Sequence, residues 1–74
     1  METYLNIFLQ ADGEKASVIN KKLLEIGLKP TLGEHDYVYN WNGIATLEEE
    51  MKLIDKIQEK LKGTGTLLKF KTSR

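Results

Sequence analysis

The chain has 74 residues, with eleven lysine or arginine residues balanced by eleven aspartate or glutamate residues, so its formal net charge is zero. This balance argues against a strongly cationic nucleic-acid binder, because such binders gain affinity by neutralising phosphates. Cysteine is absent, which excludes a disulfide framework, and the length predicts one domain, residues 1–74, with a thin core.

The first third of the chain predicts a strand followed by a helix. Residues Thr3–Ala11 alternate between apolar and mixed side chains, as a strand does. Asp12 is the expected N-cap of the helix, because its carboxylate can accept hydrogen bonds from free amides. Gly27 is expected to end the helix in the left-handed conformation. The apolar residues expected to face the core recur at steps of three and four: Ala16, Ile19, Leu23 and Ile26.

The middle of the chain predicts two more strands. Leu28–Gly33 contains Pro30, which lacks a donor for a strand ladder, so this segment is expected at a sheet edge. The run His35–Trp41 has the strongest β-propensity in the chain and predicts a central strand, which Asn42-Gly43 ends.

The last third predicts a helix and a final strand. Thr46 and Glu49 have the spacing of a capping box, and Gly63 is the expected stop. The predicted core-facing residues of this helix are Leu47, Met51, Ile54, Ile57 and Leu61. Alternation over Thr66–Thr72 predicts the last strand, and Ser73-Arg74 is expected to fray.

This order of elements predicts an α+β fold, a ferredoxin-like βαββαβ two-layer sandwich. Two right-handed crossovers joined by a hairpin give a four-stranded antiparallel sheet in the order 4-1-3-2, with two helices on one face. Both predicted edge strands carry suitable residues, Pro30 in one and the lysines Lys69 and Lys71 in the other. The alternative is a three-stranded βαβαβ sheet in which Leu28–Glu34 is a loop.

The sequence shows no catalytic or metal-binding pattern, so we expect no enzyme, no metal and no cofactor. His35 is the single histidine, and only the neighbouring carboxylates Glu34 and Asp36 could join it at a metal. The densest acidic run, Glu48–Glu50, is expected to be solvated at a helix N-terminus. No stretch resembles a signal peptide, and no apolar run approaches the roughly 20 residues that span a bilayer, so we expect a cytoplasmic protein without membrane contact.

Several families share the predicted fold. Acylphosphatases need an arginine in the first strand-to-helix loop and heavy-metal carrier domains need paired cysteines there, and Ala11-Asp12-Gly13-Glu14 has neither. The Asp12-Gly13 turn resembles the loop of ACT-type regulatory domains, which implies a small effector at a dimer interface. The run Asp36–Trp41, with Tyr37 and Tyr39, is similar to the aromatic submotif of RNA-recognition domains, which implies base stacking on the open sheet.

Most of the chain also resembles small prokaryotic proteins of this fold that carry no assigned function. The residues behind this resemblance are Gly27-Leu28-Lys29-Pro30, Tyr37-Val38-Tyr39 and Lys62-Gly63-Thr64-Gly65. It implies the fold and nothing about activity.

The direction of the strand-three aromatics decides which face of the sheet is available for binding. We expect Tyr37, Tyr39 and Trp41 to face the helices, because the opposite orientation would bury Asp36 and Asn40. The helix-free side, called the open face below, would then be apolar at its centre with a polar surround, as association surfaces are. The candidate binding residues on this face are Tyr4, Asn6, Phe8, Gln10, Val38, Asn40, Leu67 and Lys69, with Lys71 beside them.

The leading hypothesis is a non-enzymatic interaction or regulatory module that associates through the open face, most simply as a homodimer, with a small-ligand pocket at the seam. The alternative is a single-stranded nucleic-acid-binding domain that uses aromatics of strands one and three. An enzyme is the third hypothesis, and its carboxylates and lysines would have to meet across an oligomer seam.

Overall fold

The computed structural model describes residues 1–73 and contains the six elements in the predicted order. They are β1 (Glu2–Phe8), α1 (Ala16–Ile26), β2 (Lys29–Pro30), β3 (Tyr37–Asn40), α2 (Leu47–Leu61) and β4 (Leu67–Ser73). The strands form one sheet in the order β2-β3-β1-β4, which is the predicted 4-1-3-2 order read from the other edge, and every neighbouring pair is antiparallel. The predicted ferredoxin-like α+β sandwich is therefore confirmed.

The second strand is short but paired, which rules out the three-stranded alternative. Lys29 lies opposite Val38 and Pro30 lies opposite Tyr37, so β2 forms the outer edge of the sheet. Pro30 is tolerated there because an edge strand needs ladder donors on one side only. At the other edge, Ser73 pairs with Glu2, so the expected fraying at this residue is wrong. Arg74 lies outside the described residues.

The segment between β1 and α1 differs from the prediction. β1 ends at Phe8, and the Gln10 carbonyl accepts a hydrogen bond from the Gly13 amide (3.0 Å), which turns the chain. The helix begins only at Ala16, with Lys15 as an N-cap that makes no side-chain cap bond, so the predicted capping role of Asp12 is wrong. Ala16 is the first residue of the helix and is exposed, so its predicted core position is wrong.

The C-terminus of α1 follows the prediction. Gly27 has φ of 110° and its amide donates to Leu24, while the Leu28 amide donates to the Leu23 carbonyl. This is the pattern of a Schellman motif, in which glycine avoids the steric cost that a Cβ brings to the left-handed region. The motif places Leu28 in the core, where it is fully buried.

Helix α2 has the predicted capping box but a different buried face. Thr46 and Glu49 make both reciprocal bonds, at 2.9 and 3.1 Å. Leu47 is 64% exposed and Met51 is 51% exposed, so their predicted core positions are wrong. The buried residues of the helix are Glu50, Leu53, Ile57 and Leu61.

The strand-three aromatics face the helices, as predicted. Tyr37 is buried and its hydroxyl donates to Asn20 Oδ1 of α1 (2.7 Å). Tyr39 and Trp41 pack against the core and meet edge to face at 4.8 Å. The Trp41 indole donates to the Thr3 hydroxyl (2.9 Å). Burial, reinforced by the negative charge of Asp36, raises the pKa of Tyr37.

The core that these aromatics complete lies between the sheet and the two helices. Its buried apolar members are Leu5, Ile19, Leu23, Leu28, Tyr37, Leu53, Ile57 and Leu61.

Candidate association face and polar cavity

Two strands, β1 and β4, build most of the open face. Thr3 and Leu5 of β1 are buried beneath the helices, so the alternate residues Tyr4, Asn6 and Phe8 lie on the open side. In β4 the exposed residues are Leu67, Lys69, Lys71 and Ser73.

One end of the open face is apolar. Phe8 and Leu67 are direct partners across the β1–β4 ladder, and they are 54% and 60% exposed. Paired side chains on one face of a sheet lie within contact range of each other. The two therefore form a continuous apolar surface, called the Phe8–Leu67 patch, on the helix-free side.

The other end of the face is centred on Tyr4. This residue lies opposite Val38 on one side and Lys71 on the other. Its hydroxyl donates to Glu2 Oε1 (2.9 Å). That hydrogen bond, followed by desolvation and the charge of Glu2, raises the pKa of Tyr4. Tyr4 and Val38 are both half-buried, so the sheet itself partly covers them.

Between these two ends, the Asn6 side chain holds the loop that enters β3. Its Oδ1 accepts from the Asp36 amide (3.2 Å) and its Nδ2 donates to the Glu34 carbonyl (3.2 Å). Oδ1 also lies 3.1 Å from His35 Nδ1. The Asp36 carboxylate in turn accepts from the Ile7 amide (2.9 Å), just where the β1–β3 ladder ends.

These contacts fix His35 over the sheet. Its ring stacks on Tyr4 with centroids 4.5 Å apart and an interplanar angle of 21°. A cavity of about 210 Å³ opens beside it and is lined by Asn6, Glu34, His35, Lys69 and Lys71. The open face therefore carries a polar cavity beside an apolar patch.

The structure brings together seven of the eight predicted face residues and separates one. The seven share the open face in neighbouring rows: Tyr4, Asn6, Phe8, Val38, Asn40, Leu67 and Lys69. Gln10 lies beyond the end of β1 in the turn before α1, so its predicted place on the sheet face is wrong. Asn40 lies opposite Glu2 at the end of β3, on the same face as Val38, and its side chain accepts from the Asn42 amide (2.8 Å).

Three residues of this surface were missed as candidate site residues by sequence reasoning. Glu2 enters through its bond to Tyr4, and Glu34 and His35 enter through Asn6. The β1 alternation already placed Asn6 on the open face. The hydrogen-bond partners of Asn6 lie 28 and 29 residues further along the chain, and no pattern in the neighbouring sequence indicates such contacts.

Other functional features are sparse in residues 1–73. Within this range, no three side chains of the histidine, cysteine, aspartate or glutamate type come together as a metal would require. Neither helix in the same range is long and apolar enough to cross a membrane.

In the comparisons with known proteins, no family model matches the chain, and neither a curated protein nor a solved structure does.

Proposed function

We propose that this protein is a non-enzymatic interaction module that forms a homodimer through its open face. The observation that carries the proposal is the Phe8–Leu67 patch, where two large apolar side chains lie side by side and more than half exposed. Exposed apolar surface with a polar surround is characteristic of association sites. A two-fold pairing lets the same patch serve both partners.

A homodimer would need nearly the whole open face. A four-stranded sheet whose longest strands have seven residues covers roughly 440 Å² of flat area, since strands are about 4.8 Å apart and rise about 3.3 Å per residue. A standard interface buries about 800 Å² per partner. A stable dimer would therefore use most of the sheet, including the half-buried Tyr4 and Val38.

A charge in the Phe8–Leu67 patch tests the proposal. We expect Phe8→Asp to convert the dimer to monomer, because an unpaired carboxylate would be buried at the interface. The measurement is the mass by light scattering after size exclusion, over a range of concentrations. The matched control is Leu32→Asp, which adds the same charge at a residue 97% exposed in the β2–β3 connection, and it should remain dimeric.

Either of two results would contradict the homodimer. One is a wild-type monomer at every concentration, and the other is a Phe8→Asp variant with unchanged mass. Near-ultraviolet circular dichroism of the wild type and of both variants shows whether each protein is folded. A loss of mass caused by unfolding is then distinguished from dissociation of a folded dimer.

A nucleic-acid-binding function has weaker support. Tyr37 and Tyr39, which prompted the resemblance to RNA-recognition domains, pack towards the helices. Only Tyr4, Phe8 and the stacked His35 remain as aromatic groups for bases on the open face. A monomer that binds short oligonucleotides at low salt, and loses them as salt rises, would favour this function over the homodimer.

The proposal has three further parts, which are a ligand, the absence of an enzymatic role and a location. A small ligand would be held at the seam of the dimer, where the polar cavity beside His35 meets the second copy. The absence of an enzymatic role and the cytoplasmic location belong to this proposal as well, and they are tested by activity screening and by cell fractionation.

A further inference from the structure

The polar cavity on the open face has the chemistry of an anion site. Its lining comes from three parts of one chain: Asn6 of β1, the Glu34-His35 segment before β3, and the two lysines of β4. Since every lining residue belongs to the same molecule, the site does not depend on dimer formation.

The two lysines supply positive charge without internal neutralisation. Lys69 and Lys71 are two residues apart in β4, so both project from the open face, opposite Asn6 and Tyr4. Ion pairs among residues 1–73 include Lys52–Glu48 and Lys60–Glu25, and neither of these two involves Lys69 or Lys71. Glu34 contributes the one carboxylate of the lining, so the cationic groups outnumber it.

The histidine adds a hydrogen-bonding group whose orientation is fixed. Two backbone groups orient the Asn6 amide, since Oδ1 accepts from the Asp36 amide and Nδ2 donates to the Glu34 carbonyl. The 3.1 Å contact between Asn6 Oδ1 and His35 Nδ1 must then have the imidazole as donor. A neutral His35 therefore carries its proton on Nδ1 and leaves Nε2 as an acceptor.

We propose that this cavity binds a small phosphate-type oxyanion. Lysine ammonium groups act as compact point charges that suit a tetrahedral, multiply charged anion. Planar carboxylates are matched better by the arginine fork, and none of the five lining residues is arginine. Inorganic phosphate and a phosphate monoester share this chemistry, and the P–OH group of a singly protonated phosphate can donate a hydrogen bond to His35 Nε2.

The test is a titration of ¹⁵N-labelled protein with sodium phosphate at constant ionic strength, followed by amide chemical shifts. We expect saturable shifts confined to Asn6 and to residues 34–36 and 69–71, which hold the lining of the cavity. Acetate and chloride at matched ionic strength should produce no saturation. A parallel titration with O-phosphoserine distinguishes a monoester, which should bind at the same residues, from inorganic phosphate alone.

Matched lysine variants locate the site. Lys69→Gln and Lys71→Gln should each weaken phosphate binding about tenfold, because each removes one charge-assisted contact. Lys21→Gln, on the exposed surface of α1, should leave it unchanged. All three positions are exposed, so the variants are expected to fold.

Three results would overturn this proposal: no saturable shift with phosphate, equal saturation with acetate, or undiminished binding by the Lys69→Gln and Lys71→Gln variants. Binding of oligonucleotides without binding of phosphate would assign the surface to nucleic acid instead. The Phe8→Asp variant keeps all five lining residues, so phosphate binding by its monomer separates this proposal from the homodimer.

Discussion

The environment of His35 leads to a prediction about a single proton. Because Asn6 Oδ1 can only accept, the neutral imidazole is expected in the Nδ1–H form, although free histidine in water favours Nε2–H. The measurement is a long-range ¹H–¹⁵N correlation spectrum of the ring nitrogens, recorded at a pH where the imidazole is neutral.

The variant Asn6→Ala provides the comparison for this measurement. It removes the acceptor, so the ring should return towards the Nε2–H form. A wild-type spectrum with the proton already on Nε2 would contradict an Asn6 amide whose Oδ1 faces the imidazole. The stack of His35 on Tyr4 gives a second signature, since loss of the Asn6 contact should also reduce the ring-current shift that Tyr4 produces on the imidazole.

For single residues, the sequence predicts the face of the sheet on which a side chain lies better than it predicts the groups that the side chain contacts. Alternation in β1 and β4 placed Asn6 and Lys69 on one face correctly, because the side-chain period of a strand is two. Gln10 was misplaced because the same alternation does not show where a strand turns away. His35 is absent from the predicted face residues, since its contacts with Tyr4 and Asn6 depend on tertiary structure.

At the scale of elements, the capping box of α2 makes stability depend on pH. The Thr46 backbone and side-chain hydrogen bonds are the main causes that lower the pKa of Glu49. A carboxylate with a lowered pKa in the folded state stabilises the fold fully above its unfolded pKa. That contribution is lost as pH falls through the lower, folded value, so the loss belongs to the acid range below about pH 4.5.

Two variants separate this contribution from other acid effects. Thr46→Ala should lower the free energy of unfolding at neutral pH by about 1 kcal/mol. Glu49→Gln keeps an acceptor for the Thr46 amide but cannot titrate, so its stability should fall less than that of wild type on acidification. Urea unfolding at neutral pH and in the acid range measures both effects, and parallel acid profiles for wild type and Glu49→Gln would refute the pH argument.

The exposed side of α2 explains why helix orientation was predicted only in part. The predicted and observed core-facing sides of α2 share Ile57 and Leu61. Towards the N-terminus, a step of three residues from Ile57 reaches Ile54 and a step of four reaches Leu53, and both steps are compatible with one helical face. Apolar periodicity favoured the row that includes Met51, because the other row contains Glu50. A search for apolar residues at helical spacing does not select a position occupied by glutamate, so it missed the row in which Glu50 is buried.

At the scale of the whole molecule, the small core and the exposed face together predict that stability depends on protein concentration. The buried apolar cluster has eight members, which is few for a chain without disulfides. If dimer formation covers the Phe8–Leu67 patch, folding and association are linked, and mass action stabilises the folded dimer as concentration rises. A tenfold increase should then raise Tm by about 3–5 °C.

Differential scanning calorimetry at several concentrations measures this dependence, and the same two aspartate variants interpret it. Leu32→Asp should retain the concentration dependence, because Leu32 lies in the β2–β3 connection and outside the Phe8–Leu67 patch. Phe8→Asp should lose it, since a monomer unfolds at a temperature that dilution does not change. A wild-type Tm that is constant above the concentration at which light scattering finds a dimer would mean that each copy folds independently. The open face would then join two already stable domains.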